Sequence, residues 1–247
     1  MTALSKNLNL SATHFNKRAN PTNRDWLKPL AALLIGATVL LGLAAPVKAQ
    51  TAGQAAAPKT AGTKTLLIVG DSLSAEYGLK RGTGWVSLLE KELAGEAKPV
   101  KVVNASISGD TTSGGASRLP ALLRKHQPDA VVIELGGNDA LRGLPLNMTE
   151  KNLTAMTLAA KKAGAKVLLV GMQVPPNYGS AYATTFSGLF TKVADAQKVA
   201  ASPFFLKGIA DAEDATAQFQ ADRIHPNEQA QPKMLANVLP DIRKLIK

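Results

Sequence analysis

Residues 65–247 predict an α/β domain built on a doubly wound, five-stranded parallel sheet. Short β-branched or aliphatic runs alternate there with longer stretches whose apolar residues recur at helical spacing. The short runs are apolar almost throughout rather than at every second position, which is the pattern of strands covered on both faces. No internal repeat or linker interrupts this part of the chain, so a single domain is the economical organisation.

The elements follow in order. "TLLIVG" (65–70) is the first strand, and "GWVSLLEKELAG" the first helix. "KVVNASI" (101–107) leads into the helix "ASRLPALLRKHQ", and "AVVIEL" (130–135) into "NLTAMTLAAKKAG". "KVLLVGM" (166–172) precedes "FSGLFTKVADAQKVA". "PFFLKGI" (203–209) is expected as the fifth strand, and a last helix over about 227–246 closes the chain. In sheets of this kind, sites form beyond the carboxyl ends of the strands, near a topological switch point.

The N-terminal part has a different character. Residues 1–28 carry Lys6, Lys17, Arg18, Arg24 and Lys28 against Asp25 alone, and Pro29–Ala45 is an uncharged apolar run. "PVKAQ" follows, with Val47 and Ala49 matching the small-residue rule for cleavage before Gln50. This is the pattern of a secretory signal peptide over 1–49. A retained membrane anchor is the alternative, because 17 apolar residues lie at the short edge of spanning length. Gly36, Gly42 and the small residues favour cleavage. Small, polar residues 50–63 are expected as a flexible linker and 64–247 as the folded domain. The mature protein is therefore expected in the periplasm or the medium.

Six of the 29 basic residues and one of the 18 acidic ones lie in 1–49, so the formal charge of +11 falls to 23 against 17, or +6. The remaining cations are scattered over helices, as in "LEKELAGEAK" and "AAKKAGAK". Without a dense basic block interleaved with aromatics, nucleic-acid binding is not supported, and membrane contact is expected to be peripheral at most. The chain has no cysteine, which excludes disulfides, thiolate metal sites and a cysteine nucleophile.

Polar residues punctuate three successive strand ends: Gly70-Asp71-Ser72, Ser108-Gly109-Asp110-Thr111-Thr112 and Gly136-Gly137-Asn138-Asp139. Each alone is ordinary turn chemistry, but together they would ring one rim of the sheet. Ser72 is either a turn residue or a nucleophile, and a nucleophile needs a base and oxyanion donors. His126 lies at a helix end on the opposite rim and reads as structural. His225, in "ADRIHPNEQ", follows Asp222 by three residues, a spacing that can set the carboxylate beside the imidazole. A surface histidine capping the last helix, with Asp222 an ordinary turn residue, fits the same spacing.

"GDSLS", "NASISGDTTSGG", "ELGGNDALRG" and "DRIHPN", in this order, resemble the four signature blocks of the SGNH (GDSL) hydrolase family. Within it the chain is similar to the exported bacterial thioesterase I, lysophospholipase and arylesterase group, over essentially residues 65–240. The resemblance implies a three-layer α/β/α, flavodoxin-like SGNH hydrolase fold. It implies Ser72 as nucleophile, His225 as general base and Asp222 as its orienting acid. Gly109 through its N–H and Asn138 through its amide would join the Ser72 N–H as oxyanion donors. The residue types suit those roles: glycine permits close backbone approach, and asparagine is a neutral donor that does not compete for the proton. Asp71 and Asp139 are expected to fix the local turns, with support of the catalytic residues from behind as the functional alternative.

The implied activity is hydrolysis of acyl esters, including aryl esters, acyl thioesters and lysophospholipids, by a monomer with no metal and no organic cofactor. Leu144, Pro145 and Tyr178, after the third and fourth strands, would line the acyl site. One departure stands out: Arg223 occupies a position where the group usually has glycine, which bears on specificity. A polysaccharide or glycan O-deacetylase of the same family is the alternative, with a non-catalytic binding member behind it. There is no G-x-S-x-G elbow, no G-x-G-x-x-G after the first strand and no P-loop, which argues against an α/β-hydrolase or a nucleotide-binding domain.

Overall fold

The computed structural model describes residues 62–247; the expected signal segment 1–49 and linker residues 50–61 lie outside them. Strands β1 (Lys64–Gly70), β2 (Val100–Asn104), β3 (Ala130–Glu134), β4 (Lys166–Val170) and β5 (Ala200–Ser202) form one sheet in the order β2-β1-β3-β4-β5. All neighbours are parallel, with Ile68 opposite Asn104 on one side and Val132 on the other. The order reverses between β1 and β3, so the switch point lies where both strands end.

Among the described residues, six helices cover the sheet: α1 (Trp85–Ala94), α2 (Thr112–His126), α3 (Gly137–Leu141), α4 (Leu146–Lys162), α5 (Ser180–Gln197) and α6 (Gln231–Ile246). Helix α1 packs against α6, and α4 packs against both α2 and α5, giving the expected three layers. Leu66–Val69, Val131–Ile133, Leu168 and Leu169 are fully buried, which explains why these strands read as unbroken apolar runs. The helices supply matching stripes at a spacing of four, such as Trp85, Leu89 and Leu93 or Met234, Val238 and Ile242. Each such side chain stabilises the fold by about 1.5–3 kcal/mol.

The expected fifth strand at 203–209 is a correction. Pairing with β4 is made by Ala200–Ser202, and Pro203, which lacks an N–H for the ladder, ends it. The apolar run after it is a loop that buries Phe205, Leu206 and Ile209, with Phe205 edge-on to Trp85 at 5.3 Å. Strand β2 also stops before the end of its apolar run. Asn104 binds the Ser74 carbonyl and the Ser106 N–H with its side chain, yet Ala105 and Ile107 still donate to the Ile68 and Gly70 carbonyls. That keeps the β2 loop beside the end of β1. Helices α2, α4 and α5 begin several residues before their periodic stretches, and α3 was hidden in a glycine-rich segment.

The amino edge of the sheet gathers Lys64, Lys166 and the basic last turns of α2, α4 and α6, where cations complement the helix dipoles. Two clefts of about 410 and 440 Å³ open on this edge, one beside Lys161, Lys166 and Lys198, the other beside Leu123, Arg124 and Asp129. Neither includes a residue of the polar carboxyl-edge loops. Among the described residues, no helix is long and apolar enough to cross a membrane.

Candidate active site

Strand β1 delivers Ser72 to the switch point. Past Gly70 the chain turns sharply: the Ser74 and Ala75 N–H groups donate to the Asp71 carbonyl at 3.2 and 3.0 Å, and the Leu73 N–H donates to Asp71 Oδ1 at 3.0 Å. This side-chain-to-backbone turn replaces the ladder and exposes the Ser72 hydroxyl above the strand end.

His225 arrives from the far end of the chain. Its carbonyl accepts the Gln220 N–H at 2.8 Å, and Phe219 bridges to Pro226, so residues 219–226 form a closed loop. Asn227 caps the turn before α6 through the Gln229 and Ala230 N–H groups. Gln231 then ties this region to α1, donating to the Asn227 carbonyl at 3.1 Å and accepting the Trp85 N–H at 3.0 Å.

The fold brings Ser72 into one relay with His225, 153 residues further along the chain, and with Asp222 three residues before that histidine. His225 Nε2 lies 2.9 Å from Ser72 Oγ, and His225 Nδ1 lies 2.6 Å from Asp222 Oδ2. Asp222 Oδ1 accepts the Ile224 and His225 N–H groups at 2.9 and 3.0 Å, which fixes the carboxylate plane. The His225 N–H foremost, against a smaller burial effect, with the Ile224 N–H and the imidazole, holds the Asp222 carboxyl down to about 2. An ionised Asp222 assigns the proton to Nδ1 and leaves Nε2 as acceptor for the Ser72 hydroxyl. The arrangement can take a proton from Ser72 and stabilise the resulting imidazolium.

Asn138 stands in α3, and its side-chain amide donates to Asp71 Oδ2 at 3.0 Å, beside Ser72 in sequence. Gly109 lies in the loop after β2 at φ +78°, a conformation glycine adopts without strain. Its carbonyl accepts from Arg142 Nη2 at 2.8 Å. Among the described residues, neither the Ser72 nor the Gly109 N–H donates to a protein acceptor. Burial foremost, opposed by the Leu73 N–H, the Asn138 amide and His225 and reinforced by Asp110, pushes the Asp71 carboxyl up to about 6.

Other sequence-predicted residues stand further out. Asp139 is buried and accepts from the Thr112 N–H and hydroxyl, tying α3 to α2. Leu144 and Pro145 are exposed on the loop between α3 and α4, and Tyr178 stacks on Tyr182 at 6.2 Å. His126 ends α2 at the opposite edge, as expected. Arg223 adopts φ +57°, the left-handed region, at the position where the resemblance leads one to expect glycine.

Three neighbours escaped the sequence reading. Tyr77 lays its ring 4.4 Å from the His225 ring, Arg142 grips the Gly109 carbonyl, and Glu134 is buried under the Ser72 turn. Only Glu134 left a clear signal, as the one charged residue in the apolar run "AVVIEL". Among the described residues, no cluster of three or more His, Asp or Glu side chains could hold a metal ion.

Residues 68–231 match the model of the GDSL-like Lipase/Acylhydrolase family. The esterase TesA of Pseudomonas aeruginosa is 51% identical over 186 residues, covering 75% of this chain and 91% of that protein. A thioesterase 1/protease 1/lysophospholipase L1 of Escherichia coli K12 is 43% identical over 174 residues, 70% of this chain and 81% of the relative. The crystal structure of the psychrotrophic esterase EstA from Pseudoalteromonas sp., inhibited by monoethylphosphonate, superposes with a TM-score of 0.69 at 39% identity, covering 74% of this chain and 98% of that one. On the family match and these identities, the chain belongs to the GDSL-like lipase/acylhydrolase family.

Proposed function

We propose that the chain is a serine esterase and thioesterase that hydrolyses acyl esters, aryl esters, acyl thioesters and lysophospholipids among them, through an acyl-enzyme on Ser72. The observation that carries this is the relay Ser72–His225–Asp222, at 2.9 and 2.6 Å. Ser72 Oγ attacks the substrate carbonyl while His225 Nε2 takes its proton, and Asp222 holds the ring and stabilises the imidazolium. The tetrahedral oxyanion is received by the Ser72 and Gly109 N–H groups and the Asn138 amide. His225 then protonates the departing alcohol or thiol, and a water activated by the same ring releases the acid. No metal or organic cofactor takes part.

Tyr77, Ile107, Leu144 and Ile224 on loops and Leu141 at the end of α3 are exposed at the carboxyl edge, where apolar side chains favour acyl groups over sugars as the substrate surface. Leu144, Pro145 and Tyr178 line the acyl side of this surface. The names of the Pseudomonas and Escherichia relatives, an esterase and a thioesterase/lysophospholipase, support the same substrate class. The protein acts as a monomer on small substrates, with at most peripheral membrane contact and no nucleic acid. Residues 1–49 serve as an export signal, 50–63 as a linker and 64–247 as the catalytic domain, in the periplasm or the medium.

The test is hydrolysis of a p-nitrophenyl acyl series by the purified protein and by Ser72→Ala, with acetylated sugars alongside. The expected result is turnover of the acyl series and a loss of roughly 10⁴-fold or more in kcat for the variant. Turnover unaffected by Ser72→Ala would overturn the reading, and preference for acetylated sugars would assign the O-deacetylase activity instead.

A further inference from the structure

Two carboxyl side chains lie beneath the Ser72 turn, Asp71 at 3% and Glu134 at 1% exposure, and the ion pairs among the described residues include neither. Asp71 accepts from the Leu73 N–H and the Asn138 amide, each at 3.0 Å. Glu134 closes β3 and accepts the Ser74 hydroxyl at 2.7 Å, with the Asp71 N–H at 3.4 Å from the same oxygen. The Ser74 oxygen in turn receives the Trp85 indole N–H at 3.2 Å. Gly70 leaves room for this, because a Cβ there would lie 2.8 Å from both Glu134 Oε2 and Ser74 Oγ.

Two adjacent carboxyls without a cation between them do not both ionise in a buried site. Asp71 has the better claim to the charge. It holds two N–H donors at full strength and faces His225, whereas Glu134 has one hydroxyl and one long N–H contact. The other charged groups facing the pair are Asp110, which is matched by Arg118 at 2.7 Å, and Arg118 itself, which also donates to the Gly70 carbonyl at 3.3 Å.

We propose that Glu134 is a positioning residue: as a neutral acid it locks Ser74 and the Gly70–Asp71 turn, so that the pair's single charge stays on Asp71 and aims the Asn138 amide. The proposal rests on the reading of Ser72 and Asn138 given above. Asn138 Nδ2 carries two hydrogens; Asp71 takes one, which fixes the amide plane and leaves the other for the oxyanion. Ionising Glu134 removes the pair's only proton and puts a second negative charge against Asp71, and the repulsion between the two carboxylates loosens that aim. Oxyanion stabilisation therefore falls as alkali titrates Glu134. Burial foremost, and then the Asp71 charge, hold the Glu134 carboxyl well above its ordinary range, so this loss belongs on the alkaline side of the activity profile.

The experiment compares the full chain with Glu134→Gln and Glu134→Leu. Difference infrared spectra of wild type against Glu134→Gln at neutral pH should show the carbonyl stretch of a protonated carboxyl. On p-nitrophenyl butyrate, Glu134→Gln should keep kcat within about threefold at neutral pH and lose the alkaline decline, since its amide imitates the neutral acid. Glu134→Leu should lower kcat at least about tenfold with KM little changed, the signature of a lost transition-state interaction. Absence of the protonated-carboxyl band, or a leucine variant with wild-type kcat and pH profile, overturns the proposal. Should Glu134→Leu fail to fold, the band and the Gln profile decide it. Turnover that survives Ser72→Ala removes the catalytic reading, and the proposal with it; an inert Ser72→Ala with no protonated-carboxyl band removes the Glu134 proposal alone.

Discussion

Asp71 precedes the nucleophile in the chain, and its side chain holds the Asn138 amide at 3.0 Å. A charged acceptor binds an amide about twice as strongly as a neutral one. Its carboxyl is raised to about 6, so the charge is present above that pH and is lost as pH falls through it. Asp71→Asn imitates the protonated state permanently. We expect kcat for ester hydrolysis to drop about tenfold well above pH 6, and the ratio of wild type to variant to close toward one well below it. A ratio that does not change with pH would show that Asp71 serves the turn alone. The residues of the relay were legible because Ser, His and Asp stand in recognisable blocks. Glu134 was visible only as an odd charge in an apolar strand, since its partners Ser74 and Trp85 come together through packing that no local pattern records.

At the scale of elements, parallel strands were easy to read and their ends were not. Runs buried on both faces give continuous apolar sequence, but a buried loop such as 203–209 gives the same signal, and Pro203 was the mark that should have excluded it. The start of α2 was concealed by Gly114 and Gly115, which weaken helix propensity. Packing explains Gly115, whose missing Cβ leaves space for Leu135 and Met156. Gly70 works the same way at the end of β1. An alanine there meets Glu134 Oε2 and Ser74 Oγ at 2.8 Å, and both belong to a connected buried network that cannot retreat cheaply. Gly70→Ala should lower stability by about 1–3 kcal/mol in chemical denaturation and reduce kcat by shifting Ser72 against His225. An unchanged unfolding midpoint together with unchanged turnover would show slack in the turn.

The whole molecule concentrates its chemistry at the switch point between β1 and β3, and that concentration has a cost in stability that pH makes visible. Between the ordinary glutamate range and its raised native value, Glu134 keeps its proton in the folded protein and loses it in the unfolded chain. The unfolded state then binds fewer protons, so this group's contribution to folding falls as pH rises, by about 1.4 kcal/mol per pH unit for one proton. Asp222 works in the opposite sense: its carboxyl, held at about 2, supports the fold above its ordinary range, and that support is lost as pH falls toward 2. Gln at position 134 has no proton to lose and isolates the first effect from the second. Measured by urea unfolding from mildly acidic to alkaline pH, Glu134→Gln should gain stability relative to wild type as pH rises, until Glu134 ionises in the native state and the difference levels off. Parallel curves for the two proteins would mean that Glu134 is already ionised within the fold, and the single charge at the switch point would then have to be shared differently.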